Sequence, residues 1–269
     1  MPQTPPLRCI RSRDNADFKY WKKLAHHRRT RRQERRIMLE GVHLAEEWLA
    51  AHGRPEVALL SPQGHANADI MAWLNTAECA AVMLADALFR ELSGTETPAG
   101  LIVIATLPTL ATPPATDRDT LALDGVQDPG NLGCLLRNAA AAGIAQVVLS
   151  ADCAEAWSPK ALRAGQGAQF RLRLYEDVDL PAFLRMFQGD TLATALEDAA
   201  SLYSARWRHP LAWVMGSEGQ GLRPETLAAC RQRVRIPMPG ATESLNVVAA
   251  AAVCLFEMTR RDLAAAPPV

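Results

Sequence analysis

The sequence predicts an α/β protein of two units, the second built on a mostly parallel sheet covered by helices on both faces. Short apolar runs alternate with segments of helical periodicity throughout the 269 residues. Between the units lie residues 107–119, LPTLATPPATDRD, whose three prolines and few large apolar residues are typical of a domain boundary. After residue 120 strand-like runs alternate with helical ones, which favours parallel strands joined by helical crossovers.

The composition is that of a globular protein. Hydrophobic residues make up 49% of the chain and charged residues 22%, so a sizeable core is available. No apolar run approaches the roughly 18 residues of a membrane span, and the first residues lack the apolar region of a secretory leader. We therefore expect a cytoplasmic protein with no membrane partner. The six cysteines show no CxxC spacing and do not cluster with the histidines, which argues against a metal site or a disulfide framework.

One strongly basic segment contrasts with the formal net charge of zero. Between Arg8 and Arg36 there are twelve Lys or Arg residues and three acids, which gives +9 here and leaves −9 for the remainder. A basic arm on an acidic body indicates a polyanionic partner. The segment also contains Tyr20 and Trp21, whose rings could stack on exposed bases of a nucleic acid. The alternative is a solvated tail.

The first unit, residues 1–106, is predicted to be a small α/β domain. Residues 19–36 are dense in charge and predict a helix or an exposed arm. Residues 37–53 place apolar side chains at helical spacing, so a helix is predicted there with Gly53 as its stop. Further strands are predicted at 56–61, 80–85 and 100–107, and further helices at 68–77 and 85–93.

The second unit, residues 120–269, shows the more regular alternation. Its predicted strands are 120–126, 145–150, 170–176, 191–196, 211–216 and 233–238. Its predicted helices are 131–143, 158–165, 180–188, 224–230 and 244–263. Gly143 is expected to end the first of these helices, and basic residues occupy the last turns of the final one.

A glycine-containing loop after the strand at 120–126 leads into a helix that carries an arginine. Backbone N–H groups at such a loop form a ready anion site. Asn131 is expected to cap the helix, and Arg137, six residues later, could bind a phosphate through its forked guanidinium. The alternative is that Asn131 only caps the helix and that Arg137 is only a solvent-exposed side chain.

Two further loops follow strands. Gly216 to Gly221 resembles a phosphate loop superficially but lacks the Lys-Ser/Thr of the Walker motif. Glu218 at its centre would repel a phosphate, and suits hydroxyls, a positive charge or an arginine that it orients; the alternative is a simple turn. The third loop covers residues 236–247 and contains Gly240. Ser244 is expected to cap the last helix, which would put Asn246 in its first turn. Asparagine is a poor helix former, so its presence there indicates a functional role; the alternative is a capping cluster.

Four stretches of the second unit carry a family resemblance: DGVQDPGNLGCLLRNAAAAG, SPKALRAGQGAQFRL, GSEGQGL and RIPMPGATESLNVVAAAAVCLFE. They resemble, in order and interval, the signature motifs of the SpoU, or TrmH-like, branch of the SPOUT RNA methyltransferases, over residues 120–262. The stretch RRIMLEGVHLAEEWL is similar, more loosely, to the small substrate-binding domain that many of these enzymes carry.

The resemblance implies an activity and an architecture. The activity is transfer of a methyl group from S-adenosylmethionine to a ribose 2′-hydroxyl of a structured RNA, and we favour rRNA over tRNA. The architecture is an RNA substrate-binding domain with its basic arm over 1–106, a linker over 107–119, and a SPOUT catalytic domain over 120–269. That domain would contain a deep trefoil knot and form a homodimer.

The resemblance also assigns site residues. Its cofactor loops correspond to Thr194, Ala195, Gly216, Ser217, Gly221, Ile236, Met238, Leu245 and Asn246. Its catalytic polar residues correspond to Arg137, Asn131, Glu218, Ser244 and Asn246. Arg137 carries catalysis in the family; because guanidinium has a pKa above about 12, we expect it to stabilise the developing alkoxide rather than to remove the proton. The chain departs from the family at Ser217, where asparagine is usual, and at Gly165, where serine is frequent.

Three other functions compete with this one. An RNA-binding assembly factor that has lost catalysis is disfavoured because Arg137 and Asn246 are intact. A base methyltransferase of the same superfamily stays open, and nucleoside analysis of the modified RNA would separate it from a ribose methyltransferase. A nucleotide-dependent oxidoreductase requires a GxGxxG turn after the first strand of a domain, and the sequence has none.

Overall fold

The computed structural model describes residues 7–240 and 243–265. It divides into two units, of which the first comprises residues up to 109 together with 157–170, and the second comprises 110–156 and the residues from 171 onward. The outermost residues of both predicted domains, and Ala241 and Thr242 of the third loop, lie outside the described residues.

Strands and helices are numbered along the chain. The strands are β1 Arg8–Ile10, β2 Arg36–Glu40, β3 Val57–Leu60, β4 Ala80–Leu84, β5 Leu101–Thr106, β6 Thr120–Asp124, β7 Gln146–Leu149, β8 Arg173–Tyr175, β9 Asp190–Thr194, β10 Ala200–Ser201, β11 Leu211–Gly216 and β12 Gln232–Arg235. The helices are α1 Ala16–His26, α2 Arg28–Glu34, α3 Val42–His52, α4 Pro62–His65, α5 Ala68–Ala77, α6 Asp86–Leu92, α7 Pro129–Ala141, α8 Pro159–Gly165, α9 Leu180–Met186, α10 Pro224–Ala229 and α11 Val247–Ala265.

The first unit is built on a five-stranded sheet of order β1-β4-β3-β5-β2. Strand β5 runs antiparallel to both of its neighbours, and the pairs β1–β4 and β3–β4 are parallel. Four strands therefore point in one direction, and their carboxyl ends share one edge of the sheet.

The predicted helix over residues 37–53 is wrong at its start. Residues 36–40 form β2, and only 42–52 are helical. Ile37, Met38 and Leu39 are all buried, so this run meets apolar neighbours on both faces and shows neither strand alternation nor a helical stripe. Gly41 separates the strand from the helix, and its φ of 96° is a backbone conformation that residues with a side chain rarely adopt.

The basic segment is neither an arm nor a solvated tail. It folds as α1 and α2, and Phe18, Trp21 and Leu24 of α1 lie in the core of the first unit. Trp21 is only 6% exposed, so the prediction that its ring stacks on an RNA base is wrong. Arg31 is buried too and donates to the carbonyl oxygens of Leu24 and Ala25. Most of the remaining basic side chains are at the surface.

The second unit confirms the predicted parallel sheet. Its seven strands have the order β10-β12-β9-β11-β6-β7-β8, and every pair is parallel. The central strands β6 and β11 are buried along their whole length. The short edge strand β10 was not predicted, because two residues carry no periodicity.

Residues 157–170, which the sequence placed in the second domain, pack with the first unit. Arg163 pairs with Glu40 at 3.0 Å, and Phe170 contacts Trp48 edge to face with ring centroids 5.3 Å apart. The segment therefore contributes both a polar and an aromatic contact to that unit.

The described residues contain neither a membrane-spanning helix nor a cluster of metal-binding side chains. No helix within residues 7–240 and 243–265 is long and apolar enough to cross a membrane. In the same part of the chain no group of three or more His, Cys, Asp or Glu side chains is placed to hold a metal ion.

Candidate functional site

A cavity of about 560 Å³ opens in the second unit beside the loops that follow β9, β11 and β12. In open α/β sheets, ligands bind outside the carboxyl ends of the strands, and this cavity lies at such ends. Ten of the predicted site residues line it: Thr194, Ala195, Gly216, Ser217, Glu218, Gly221, Ile236, Met238, Ser244 and Leu245. The second and third glycine-containing loops thus meet at one cavity.

The turn after β11 is tight. The backbone N–H groups of Ser217 and Gly221 donate to each other's carbonyl oxygens, both at 3.0 Å. A Cβ atom at Gly216 would overlap the backbone of Gly221, so only glycine fits there. The Ser217 hydroxyl accepts from the N–H of Gln220 at 3.2 Å, so serine supports the turn at the position where the family usually has asparagine.

Two residues that the sequence analysis left without a role hold this loop in place. Asp124, the last residue of β6, has a fully buried side chain and binds Arg223, which follows the loop after β11. Arg223 donates to it through its backbone N–H at 3.1 Å and through Nε at 2.8 Å. The side-chain hydrogen bond to Asp124 raises the pKa of Arg223, so its guanidinium stays charged. The only sequence signal was a carboxylate that ends an otherwise apolar strand.

The first glycine-containing loop reaches the second through a side-chain hydrogen bond, in which the Asn131 amide Nδ2 donates to the Glu218 carboxylate. The expected capping role of Asn131 is wrong, because Asp128 caps α7 by accepting from the N–H of Asn131 at 2.8 Å. The amide of Asn131 is therefore available to orient Glu218, which is itself at the surface of the cavity.

Arg137 and Asn246 do not line the cavity. Arg137 lies on α7 as predicted, is exposed, and makes no hydrogen bond or ion pair with residues 7–240 or 243–265. Asn246 caps α11, since its Oδ1 accepts from the N–H of Val248 at 2.8 Å. The prediction that Ser244 caps this helix and Asn246 lies in its first turn is therefore wrong, and the poor helix propensity of asparagine is no conflict here.

The cavity carries both apolar and acidic side chains. Leu222, Ile236 and Met238 give it an apolar part. Its three carboxylates belong to Glu197, Glu218 and Glu243, and its two guanidinium groups to Arg233 and Arg235. Arg233 lies 3.7 Å from Asp198, outside the cavity, so part of the positive charge is offset.

Family models match both parts of the chain. The model described as the SpoU rRNA Methylase family matches residues 119–256, and the one described as an MRM3-like substrate binding domain matches residues 15–103. The chain belongs to the SpoU rRNA methylase family. The resemblance seen in the sequence motifs is thereby confirmed.

Similar proteins agree with this assignment. The 23S rRNA (guanosine(2553)-2′-O)-methyltransferase RlmP of Bacillus subtilis is 31% identical over 255 residues, covering 94% of this chain and 99% of that protein. A crystal structure described as an RNA 2′-O ribose methyltransferase is 33% identical, covers 95% of this chain and 99% of its own, and has a TM-score of 0.81. The AdoMet-bound rRNA methyltransferase from Sinorhizobium meliloti is 25% identical, covers 96% and 98%, and has a TM-score of 0.80.

These findings confirm three predictions: the α/β fold class of the SPOUT methyltransferases, the enzyme class of an RNA 2′-O-methyltransferase, and S-adenosylmethionine as cofactor. The cavity of this SpoU methylase fits such a cofactor in its chemistry. Its apolar part suits the adenine ring, and carboxylates suit the positive charges of a sulfonium and an ammonium group.

The departure of this SpoU methylase at Gly165 has a local explanation. A Cβ atom there would lie 2.5 Å from the Oε1 atom of Gln169. Gln169 is buried and donates through Nε2 to the carbonyl oxygen of Ala161 at 3.0 Å. The glycine therefore makes room for an amide that fills the space next to α8.

Proposed function

We propose that this SpoU methylase transfers a methyl group from S-adenosylmethionine to a ribose 2′-hydroxyl of ribosomal RNA. The observation that supports it most is the cavity at the strand ends of the second unit, which is lined by residues of the second and third glycine-containing loops and linked to the first loop through Asn131 and Glu218. The substrate class rests on the relative that methylates 23S rRNA and on the match to a substrate-binding domain.

We assign cofactor binding to eight residues that line the cavity: Thr194, Ala195, Gly216, Ser217, Gly221, Ile236, Met238 and Leu245. When bound, the cofactor supplies a methyl group made electrophilic by the sulfonium. Asn246, outside the lining, would act by fixing the start of α11, and Ser244 offers an exposed hydroxyl beside it.

Arg137 has the role of binding RNA beside the reacting hydroxyl. Its guanidinium is permanently charged, exposed, and makes no bond with the described residues, so it is free to bind a phosphate and the 2′-oxygen together. Stabilising negative charge on that oxygen as its proton leaves favours transfer. Asn131 keeps Glu218 oriented, and Glu218 contributes negative charge at the cavity.

The RNA-binding surface of the first unit is assigned to the outward side chains of α1 and α2. Lys23 and Arg29 are exposed and form no ion pair with the described residues. By contrast, Lys22 is held by Glu91 at 2.8 Å, and Lys19 by Asp14 at 2.9 Å. Unpaired cationic side chains bind phosphates most strongly, because no neighbouring carboxylate neutralises their charge.

A homodimer and a trefoil knot belong to the same proposal. Support for a partner copy comes from α11, where Phe256 and Leu263 are 47% and 72% exposed and lie seven residues apart, on one face of the helix. A Leu263→Lys variant should shift the protein toward monomer in analytical ultracentrifugation; an unchanged sedimentation coefficient would place the dimer interface elsewhere.

The deciding experiment is transfer of labelled methyl from S-adenosylmethionine to total RNA from a strain that lacks this gene. Sizing the labelled RNA identifies the substrate, and digestion to nucleosides identifies the modified position. We expect a 2′-O-methylnucleoside in one rRNA size class. Label in tRNA would overturn the substrate class, and a methylated base would overturn the reaction. Cofactor binding without label would point to a precursor RNA or a partner protein.

A further inference from the structure

The first unit contains a second, smaller cavity of about 210 Å³ that shares no lining residue with the cofactor cavity. Its lining residues are Glu40, His43, Leu44, Thr95, Thr97, Ala99, Arg163 and Gln166. Glu40 ends β2, and the segment from Thr95 to Ala99 comes shortly before β5, which runs antiparallel to β2. The cavity therefore lies at the edge where four parallel strands end, and this is the edge at which α/β sheets bind ligands.

The floor of this cavity is the ion pair between Glu40 and Arg163, and both charged groups are hydrogen-bonded. The Glu40 side chain is only 7% exposed and accepts from Arg163 Nη1 at 3.0 Å, from the Thr95 hydroxyl at 3.0 Å and from the N–H of Gly94 at 3.2 Å. The second guanidinium nitrogen of Arg163 donates to the Gly94 carbonyl at 3.1 Å. A Cβ atom at residue 94 would lie 2.7 Å from the guanidinium, so glycine allows this close approach.

The rim, by contrast, carries polar groups that are not engaged. His43 and Thr97 are exposed and make no hydrogen bond with the described residues. The side-chain amide N–H of Gln166 donates to the Arg163 carbonyl oxygen at 2.7 Å. The amide oxygen of Gln166 makes no hydrogen bond with the described residues. Together these groups offer both donors and acceptors around apolar Leu44 and Ala99.

This combination of lining groups favours a nucleobase over a phosphate as the ligand of the cavity. Arg163 is the only Lys or Arg among the described lining residues, and its charge is neutralised by Glu40, so nothing at the cavity favours an anion. Mixed donors and acceptors, a histidine ring and a small apolar surface match an unpaired base, which RNA-binding proteins stack upon and bind by its edge.

We propose that this cavity binds one unpaired nucleoside of the RNA substrate, other than the nucleoside that is methylated. The inference rests on the proposed function for the identity of the RNA. The rigid ion-pair floor fixes the shape of the cavity, and His43, Thr97 and Gln166 select the base. The first unit thus contributes sequence recognition in addition to the sequence-independent attraction of its basic helices.

The test compares the triple variant His43→Ala, Thr97→Ala, Gln166→Ala with the full-length wild type. The RNA is ribosomal RNA from a strain that lacks this gene. We expect KM for RNA to rise about tenfold or more, because several hydrogen bonds are lost at once. Because the cofactor cavity is untouched, kcat at saturating RNA and the Kd for S-adenosylmethionine should change by less than about twofold. The control variant Asn75→Ala, Thr76→Ala removes exposed polar groups of α5 and should leave every constant unchanged.

A second measurement does not depend on methyl transfer. The same ribosomal RNA, carrying 4-thiouridine, is crosslinked by light to the wild-type protein, and the linked peptides are identified by mass spectrometry. Crosslinks on the peptide containing His43 or on that containing Thr97 support the cavity. Methylation with an unchanged KM in the triple variant and crosslinks elsewhere would overturn this inference and leave the proposed function standing. Crosslinks at the cavity without any methylation would support this inference and overturn the proposed function.

Discussion

Arg223 binds Asp124 across 99 residues of sequence, with its Nη2 atom 2.6 Å from a carboxylate that is fully buried. A buried carboxylate is stable only when it is paired and hydrogen-bonded, so the two residues depend on each other. Asp124 ends the central strand β6, and Arg223 follows the loop after β11. The pair therefore fixes that loop to the strand beside it.

Replacing Arg223 by alanine should reduce both stability and cofactor affinity. Removing the arginine, whose side chain is itself 39% exposed, leaves a buried carboxylate without its partner, so we expect the free energy of unfolding to fall by roughly 1–3 kcal/mol. The Kd for S-adenosylmethionine should rise because the Gly216 to Gly221 turn loses its anchor. Urea denaturation and calorimetric titration measure the two effects. Arg206→Ala, an exposed arginine without a described partner, is the control. A variant with wild-type stability and affinity would show that the pair does not position the loop.

Arg137→Ala should remove methyl transfer and preserve cofactor binding. Loss of one donor that stabilises an oxyanion typically lowers kcat by about 10²–10³, and Arg137 does not line the cavity to which we assign the cofactor. Single-turnover rates with labelled cofactor, together with the Kd for S-adenosylmethionine, separate the two steps. Arg137→Lys keeps the charge without the forked donors and should recover only part of the rate. Near-normal turnover in the alanine variant would remove Arg137 from catalysis.

The basic helices should contribute to RNA affinity through their charge alone. We expect Lys23→Ala combined with Arg29→Ala to weaken RNA binding and to make it less dependent on salt, because each lost phosphate contact lowers the slope by roughly 0.7–0.9. Filter binding at several salt concentrations measures this, with the exposed Arg185→Ala as control. Deleting the whole basic segment is unsuitable, since Phe18, Trp21 and Leu24 belong to the core. An unchanged slope in the double variant would exclude α1 and α2 from the RNA surface.

Much of the fold was accessible from hydrophobic periodicity, and the exceptions have physical causes. The strands β6 and β11 are apolar runs bounded by turns, so their burial follows directly from the sequence. Residues 36–40 were misassigned because three consecutive buried side chains fit both a strand and a buried helix. The charge density of residues 19–36 left a helix and an exposed arm open, and the helix is correct: Phe18, Trp21 and Leu24 recur at intervals of three, as on one face of a helix.

The site was accessible through its motifs, whose residues meet at the cavity, but the contacts that support it were not. No local pattern links Asp124 to Arg223, since the pairing depends on β6 and β11 being neighbours in the sheet. The cap of α11 was also placed wrongly, because Ser244 and Asn246 are both good capping residues and only the backbone decides which of them is used.

His209 should make the stability of the second unit depend on pH. Its Nδ1 lies 2.8 Å from Asp119 and its Nε2 lies 3.0 Å from Asp262 of α11. Partial burial alone would lower the pKa of His209, but its hydrogen bonds and charge interactions with the two carboxylates outweigh burial and raise it. The protonated ring is therefore favoured in the folded state. This stabilisation is complete below the unfolded pKa of about 6.5 and disappears as the pH rises through the higher folded value.

The measurement is the free energy of urea unfolding of wild type and His209→Gln between pH 5 and pH 9. Because glutamine cannot be protonated, the difference between the two proteins should be largest at the acid end. It should shrink above about pH 6.5, as the charge of His209 is lost. His65→Gln, which replaces an exposed histidine without a described partner, is the control for the substitution itself. If the difference in free energy of unfolding between wild type and His209→Gln did not change with pH, the two carboxylates would bind the neutral ring as strongly as the charged ring.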